Sequence, residues 1–340
     1  MEDLFLANYN YFSTENHFDD IKDVESILVQ GHDLDHKPLL SITIPTYKRV
    51  ATLKFTLESA IKQKGNHDYD IIVVDNNPER EDATEIFMRN YASVPNLKYY
   101  KNTKNIGMGG NWCRCVDLAD GTWVTLLHDD DLIVNDYLNQ IETCLFDSLD
   151  AVFVNHVIFK NGEDLPRIPK AKHFVLSKIT ILDQYHFPAL GPSGNTLRKS
   201  KVVELGGFNG KVFAPDSFFT VLAYKSNVYK TNIPLMNYRI GLNESTKFEA
   251  MDKMCYQNHF QRIQTFHKIG VPNIVIKYAL LYSDIIFEQG FQNFWNMNFK
   301  YTSMPIYSKY EYYFSKSIYL LLDITLKVIR KMKRKKIVLY

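Results

Sequence analysis

No apolar run in this 340-residue chain reaches the roughly 18–20 residues that a membrane-spanning helix needs. The start, Met1-Glu-Asp-Leu-Phe5, is acidic and lacks the apolar stretch of a secretory leader, so a cytoplasmic protein is expected. Cysteine is scarce. Cys113, Cys115, Cys144 and Cys255 form no CxxC pair and match no zinc spacing, so they read as reduced thiols. A helix would point Cys113 and Cys115 in different directions, which argues against a metal fragment there. A dominant charge is lacking too. The 40 Lys and Arg nearly balance the 38 Asp and Glu, leaving a formal +2. No overall field therefore argues for a nucleic-acid partner. Internal repeats and low-complexity segments are absent as well.

Apolar side chains are plentiful: 46% of residues are hydrophobic, which supports a sizeable core. Aromatics make up 14%, with 22 Tyr and 22 Phe. They suit sugar-stacking or membrane-facing surfaces, but a plain aromatic core is the preferred reading.

Residues 1–38 are polar and mixed and read as an N-terminal extension, with one short helix predicted at 18–29. His32, Asp33, Asp35 and His36 have metal-ligand chemistry, but a solvated linker accounts for them more simply. An ordered core then begins. Leu39–Ile44 reads as a buried strand stopped by Pro45. Val50, Leu53, Leu57, Ala60 and Ile61 fall at helical spacing. Tyr69–Val74 is a second strand, ending in Asp75-Asn-Asn-Pro78. A helix fits 80–91 and a short strand 97–100. Gly107, Gly109 and Gly110 mark a loop before a helix at 111–119. Thr122–Leu127 is a third strand, ending in His128-Asp-Asp-Asp131. Further on, strands are expected near 151–159 and 228–239, with a helix near 216–225. Residues 252–290 and 305–336 read as helical.

Strands alternating with helices imply a parallel sheet covered on both faces. Ligands in such folds bind beyond the carboxyl ends of the strands. Three strands here end in ligand-competent residues: Pro45-Thr46-Tyr47, Asp75-Asn76 and Asp129–Asp131. Three adjacent aspartates are costly to hold together, because like charges repel and burial raises the penalty. A divalent cation relieves that cost, and hard carboxylates suit Mn²⁺ or Mg²⁺. Such an ion would neutralise a diphosphate leaving group. The plainer alternative is an acidic loop capping the next helix.

The chain resembles the family 2 glycosyltransferases, inverting enzymes of the GT-A fold, over about residues 39–245. The likeness rests on an ordered set: Ser41-Ile-Thr-Ile-Pro-Thr-Tyr-Lys-Arg49, Ile71-Ile-Val-Val-Asp-Asn-Asn77, Asn105-Ile-Gly107, Gly121-Thr-Trp-Val124 with His128-Asp-Asp-Asp131, and Gly206-Gly-Phe-Asn209. It implies an α/β, Rossmann-like GT-A domain with a mostly parallel central sheet, followed at 246–340 by a helical C-terminal region. It also implies roles. Pro45, Thr46 and Tyr47 would line the base and ribose pocket, Asp75 would accept a hydrogen bond from uracil or thymine, and Lys104, Asn105 and Gly107 would approach the nucleotide. Asp129 would contact the donor, with Asp130 and Asp131 on the metal. His128 stands where the family often has Asp. Asp216, preceded by Pro215 where Glu is common, falls at the place of the catalytic base. A helix N-cap is the alternative role there. Arg239, with Asn243 and Ser245, resembles the segment that closes over the diphosphate; a surface salt bridge is the other reading of Arg239. Pro192-Ser-Gly-Asn195 lines a sugar pocket or forms a plain turn.

Inverting transfer from a nucleotide diphosphate sugar, UDP-linked by preference, to a glycan or lipid-linked glycan in cell-surface polysaccharide synthesis is thus expected. Two alternatives stand beside it. One is a non-catalytic sugar-nucleotide-binding subunit of an assembly complex. The other is a nucleotidyltransferase, which the lack of Gly in Pro45–Arg49 disfavours. The basic run Lys327–Lys336 follows Ile318-Tyr-Leu-Leu-Leu322 and the aromatics Tyr307, Tyr310, Tyr312, Tyr313 and Phe314. Peripheral contact with the inner face of a membrane through this tail is expected, against a solvated end.

Overall fold

The structure is a computed structural model and describes residues 6–168, 173–185, 191–241, 248–295, 308–333 and 335–339. Eleven strands join one sheet: β1 (Ser26–Gln30), β2 (Leu40–Thr46), β3 (Tyr69–Asp75), β4 (Leu97–Asn102), β5 (Trp123–Leu126), β6 (Leu132–Ile133), β7 (Ala151–Lys160), β8 (Phe174–Ile179), β9 (Asn195–Arg198), β10 (Val228–Ile240) and β11 (Lys336–Leu339). Their order is β1-β4-β3-β2-β5-β9-β7-β10-β8-β11, with β6 paired to β10. The helices are α1 (Val50–Ile61), α2 (Ala83–Met88), α3 (Gly107–Leu118), α4 (Tyr137–Glu142), α5 (Lys199–Glu204), α6 (Phe218–Lys225), α7 (Phe248–Lys268), α8 (Asn273–Trp295) and α9 (Lys309–Lys333).

The central block β4-β3-β2-β5 is parallel throughout, and β7 and β10 run the same way beyond the reversed β9. Alternation along β3 explains the layering. Ile71 and Val73 join one core with Leu53, Leu57 and Ala60 of α1. Ile72 and Val74 join the other with Trp112, Cys113, Cys115 and Val116 of α3. A strand buried on both faces is what a near-continuous apolar run encodes. The four cysteines are buried free thiols.

Pro45 does not stop β2. The strand continues to Thr46, pairing Pro45 with Val74 and Thr46 with Asp75, while its ladder to β5 ends at Thr43 and Leu126. Proline is tolerated because the lost N–H falls where one neighbour has already left.

The helix expected at 18–29 is a short 3-10 turn, Asp19–Ile21, followed by β1 on the edge of β4. Edge pairing of Ser26-Ile-Leu-Val-Gln30 outweighs the local helical pattern. The segment before it is fastened down. His17 N donates to Gly206 O at 2.8 Å, and Lys211 Nζ to Asp20 at 2.8 Å. Gly206 has φ +88°, and a Cβ there would lie 1.9 Å from the Glu15 carbonyl oxygen. Gly206-Gly-Phe-Asn209 is therefore the seat of the N-terminal segment.

The C-terminal region is helical, as expected, with three helices among the described residues, but it does not end as a loose tail. Residues 336–339 return as β11 beside β8. Tyr185 donates to Asp323 of α9 at 2.6 Å, and Arg330 approaches Asp183 at 3.6 Å. No helix among the described residues is long and apolar enough to cross a membrane.

Candidate donor and metal site

Parallel register brings the ends of β2, β3 and β5 to one edge, with Thr46 directly opposite Asp75. The chain leaving β5 turns back at once, with Asp131 N donating to His128 O at 3.2 Å. All three aspartates of this turn are buried. Thr46 Oγ1 donates to Asp129 Oδ2 at 2.7 Å. Arg49, just before α1, bridges two of them: Nη2 donates to Asp130 at 2.8 Å, and Nη1 lies 3.3 Å from Asp129. Burial pushes the Asp129 carboxyl up to about 7 against the opposing pull of Arg49. Burial and the Asp130 charge raise Asp131 well above the carboxylate range.

Arg239 holds the turn from the other side. It is 4% exposed, which overturns the surface salt bridge. Its N–H donates to Asp131 Oδ1 at 2.9 Å, its Nε to the Asp130 carbonyl at 2.8 Å and its Nη1 to Asn161 at 2.9 Å. The guanidinium lies 4.6 Å from the Phe159 ring centroid, and desolvation lowers its pKa. Asn243 and Ser245 lie outside the described residues.

His128 stacks on Trp112 at 5.0 Å, and burial pushes its imidazole down to about 4. It is neutral at pH 7, the form that ligates metals. Among the described residues, His128 Nε2 and Asp131 Oδ2 are buried atoms with no hydrogen-bond partner. Such orphaned atoms are rare in a folded chain. One ligand atom from each of His128, Asp130 and Asp131 falls within 4.8 Å of the others. The two carboxylates suit Mn²⁺ or Mg²⁺, whereas an imidazole suits a transition ion better than Mg²⁺, so the set fits a divalent ion. His128 was visible in the sequence only as a departure from Asp; its orphaned nitrogen adds it to the set.

Asp75 has partners that sequence reasoning did not foresee. It is fully buried, and its oxygens accept from Asn77 N at 2.9 Å, Tyr99 OH at 2.8 Å and Lys101 Nζ at 2.8 Å. Lys101 also reaches Asp82 at 2.9 Å. Tyr99 and Lys101 both fall on Oδ2, so Oδ1 accepts from Asn77 N alone and keeps one acceptor direction. Asn76 stands at the centre of an amide network. Its Oδ1 accepts from Asn102 Nδ2 at 3.0 Å and Ile106 N at 3.0 Å; its Nδ2 donates to Asn105 Oδ1 at 2.8 Å and Gly107 O at 3.1 Å. This network fixes the Asn105–Gly107 entry to α3, while Lys104 stays exposed. Tyr47 presents a ring 44% exposed, beside Lys48 at 5.7 Å. Asn195 is structural: its amide donates to Pro192 O at 3.1 Å and accepts from Val154 N at 3.0 Å, which favours the plain turn. His36 stays exposed and contacts Asp35 and Asp68.

Asp216 sits half-buried in a 3-10 turn, Pro215–Ser217, that opens α6. Burial raises its carboxyl to about 6, opposed by the backbone N–H groups of Asp216 and Ser217. The turn is held from α7, where buried Gln257 accepts from Ala214 N at 2.8 Å and donates to Ala214 O at 3.0 Å. Burial raises the Tyr238 hydroxyl, and the charges of Asp131, Asp130 and Asp216 raise it further.

Residues 41–205 match the model of glycosyl transferase family 2. The chain carries a family 2 glycosyltransferase domain. It is 26% identical over 212 residues to an uncharacterised glycosyltransferase of Methanocaldococcus jannaschii, spanning 60% of this chain and 71% of the relative. It is 27% identical over 219 residues to the GalNAc(5)-diNAcBac-PP-undecaprenol beta-1,3-glucosyltransferase of Campylobacter jejuni, spanning 63% and 68%. Its fold is like that of S. aureus TarS 1-349 in complex with UDP-GlcNAc (TM-score 0.51, 14% identity, 86% of this chain and 91% of that one). It is also like that of the mannosyltransferase PcManGT of Pyrobaculum calidifontis in complex with GDP-Man and Mn²⁺ (TM-score 0.51, 12% identity, 97% and 96%). The GT-A architecture, with C-terminal helices, is the one expected from the sequence.

Proposed function

We propose that this glycosyltransferase moves a sugar, with inversion, from a nucleoside diphosphate donor to a glycan hydroxyl in the presence of Mn²⁺ or Mg²⁺. The observation that carries the reading is the buried turn after β5, where Asp130 converges with the orphaned atoms of His128 and Asp131. Those three residues would hold the ion, which would supply positive charge to the diphosphate leaving group. Thr46 and Asp129 face the donor, and the exposed Tyr47 ring offers a stacking face for a base. Arg49 neutralises Asp129 and Asp130 and is placed to turn to the donor's diphosphate. Lys104, Asn105 and Gly107 border the nucleotide, with Asp75 and Arg239 behind as positioning residues. Asp216 takes the proton from the acceptor hydroxyl. Displacement at the anomeric carbon in one step gives inversion, with no enzyme nucleophile.

A uridine donor is favoured by the motif position of Asp75, and a lipid-linked glycan acceptor by the name of the Campylobacter relative. Residues 39–245 form the catalytic unit in this reading, braced by 1–38 and 246–340. The test is a thermal-shift panel of nucleoside diphosphates with and without Mn²⁺. A ligand at 100 times its Kd stabilises by about 2.7 kcal/mol. UDP with Mn²⁺ is expected to raise the melting temperature, and Asp130→Ala to abolish the metal-dependent part. No shift with any diphosphate and metal would sink the reading.

A further inference from the structure

The sequence draws attention to the basic run at the end of the chain, but the described structure puts the exposed apolar surface elsewhere. Helix α9 buries one face, through Ser315, Tyr319 and Leu326. At about 100° per residue, Tyr310, Phe314, Leu321, Ile324, Val328 and Met332 fall on the opposite face. They are exposed by 53% to 88%. From Tyr310 to Met332 this stripe is about 33 Å long. An exposed apolar stripe of this length, broken at Ser317, marks a contact with something. Lys309, Lys316 and Lys327 line one flank at helical spacing, with Lys331 nearer the stripe; Glu311 stands on the other side. Asp323 faces inward, bonded to Tyr185 and paired with Lys327 at 2.6 Å.

We infer that the outward face of α9 docks on an anionic lipid surface. Charge decides the occupant. The flank is basic along its length, so an antiparallel second copy would bring lysine against lysine. An apolar stripe edged by cations is the pattern that lies in a bilayer interface, with apolar side chains below the headgroups and lysines at phosphate depth. No helix among the described residues spans a bilayer, so the contact is peripheral. The β11–β8 pairing and the Tyr185–Asp323 bond fix α9 to the sheet, so docking sets the orientation of the whole domain on the membrane. Docking through this face does not depend on the catalytic assignments.

The experiment is sedimentation of the full chain with vesicles of phosphatidylcholine alone and with added phosphatidylglycerol, alongside light scattering without lipid. Binding is expected only with the anionic lipid and is expected to weaken as salt rises. Leu321→Glu with Ile324→Glu and Val328→Glu is expected to reduce partitioning at least 10-fold. Lys309→Gln, Lys316→Gln and Lys331→Gln are each expected to reduce it about 5-fold. All six positions lie outside the core, and an unchanged melting temperature without vesicles checks that the variants are folded. Equal sedimentation of the wild type and both variant sets, or no sedimentation with anionic vesicles, would overturn the inference. A dimer dissociated by the glutamate variant would assign the face to self-association instead.

Discussion

Replacing Asp216 by Asn should stabilise the protein and disable it at once. Burial raises this carboxyl from 3.8 to about 6. The folded chain holds the proton more tightly than the unfolded chain, so ionisation costs folding stability. That cost is absent below about pH 4, grows through about pH 6 and is complete by about pH 8. An interval of about two pH units corresponds to roughly 3 kcal/mol. This is an upper bound, because the residue keeps part of its surface in water. For a chain of 340 residues the unfolding entropy is roughly 0.7 kcal/mol per degree, giving a rise of up to about 4 °C. Turnover should fall about 10²–10⁴-fold, the usual worth of a general base. Wild-type activity should rise with pH through about 6 as the carboxylate forms. The assay is a melting series from pH 4 to 8 beside turnover for both proteins. A variant that melts lower at pH 8, or whose advantage persists at pH 4, would refute the burial argument. Retained turnover would refute the role as base.

Other perturbations separate architecture from chemistry. Gly206→Ala places a Cβ 1.9 Å from the Glu15 carbonyl and should lower stability by about 1–3 kcal/mol while loosening residues 14–17 to proteolysis. Gly107→Ala, with φ +73° but no atom within 4 Å of the new Cβ, should cost only the backbone strain of about 1–2 kcal/mol. Lys101→Met strands Asp75 and Asp82 and should cost about 3–5 kcal/mol, read by chemical denaturation.

The parallel core was legible because β3 is buried on both faces and reads as the apolar run Ile71–Val74, while β2 and β5 set only small hydroxyl residues between their apolar ones. The aspartate turn was legible for the same reason: charged residues straight after such a run must sit at the strand's carboxyl end, the edge where parallel sheets bind ligands. What escaped was whatever depended on distant partners. Ser26–Gln30 has no strand identity until β4 offers an edge, and Lys336–Leu339 is masked by the basic run before it until β8 accepts it. Gln257, which grips the Asp216 turn from 43 positions away along the chain, carries no local signal. Asp75 and Arg239 were marked as functional by motif position, but their hydrogen bonds go largely to the protein itself. Side-chain partners are set by packing, which single-chain patterns do not encode.

The most direct test is release of free nucleoside diphosphate from UDP-sugars with Mn²⁺ or Mg²⁺, in the wild type and in Asp130→Ala and Asp216→Ala. Metal-dependent release is expected in the wild type. Asp130→Ala should lose the metal dependence, and Asp216→Ala should lose turnover while still binding UDP with Mn²⁺. Undiminished release by both variants would contradict the assignment, and tight nucleotide binding with no release by the wild type would make the chain a binding subunit.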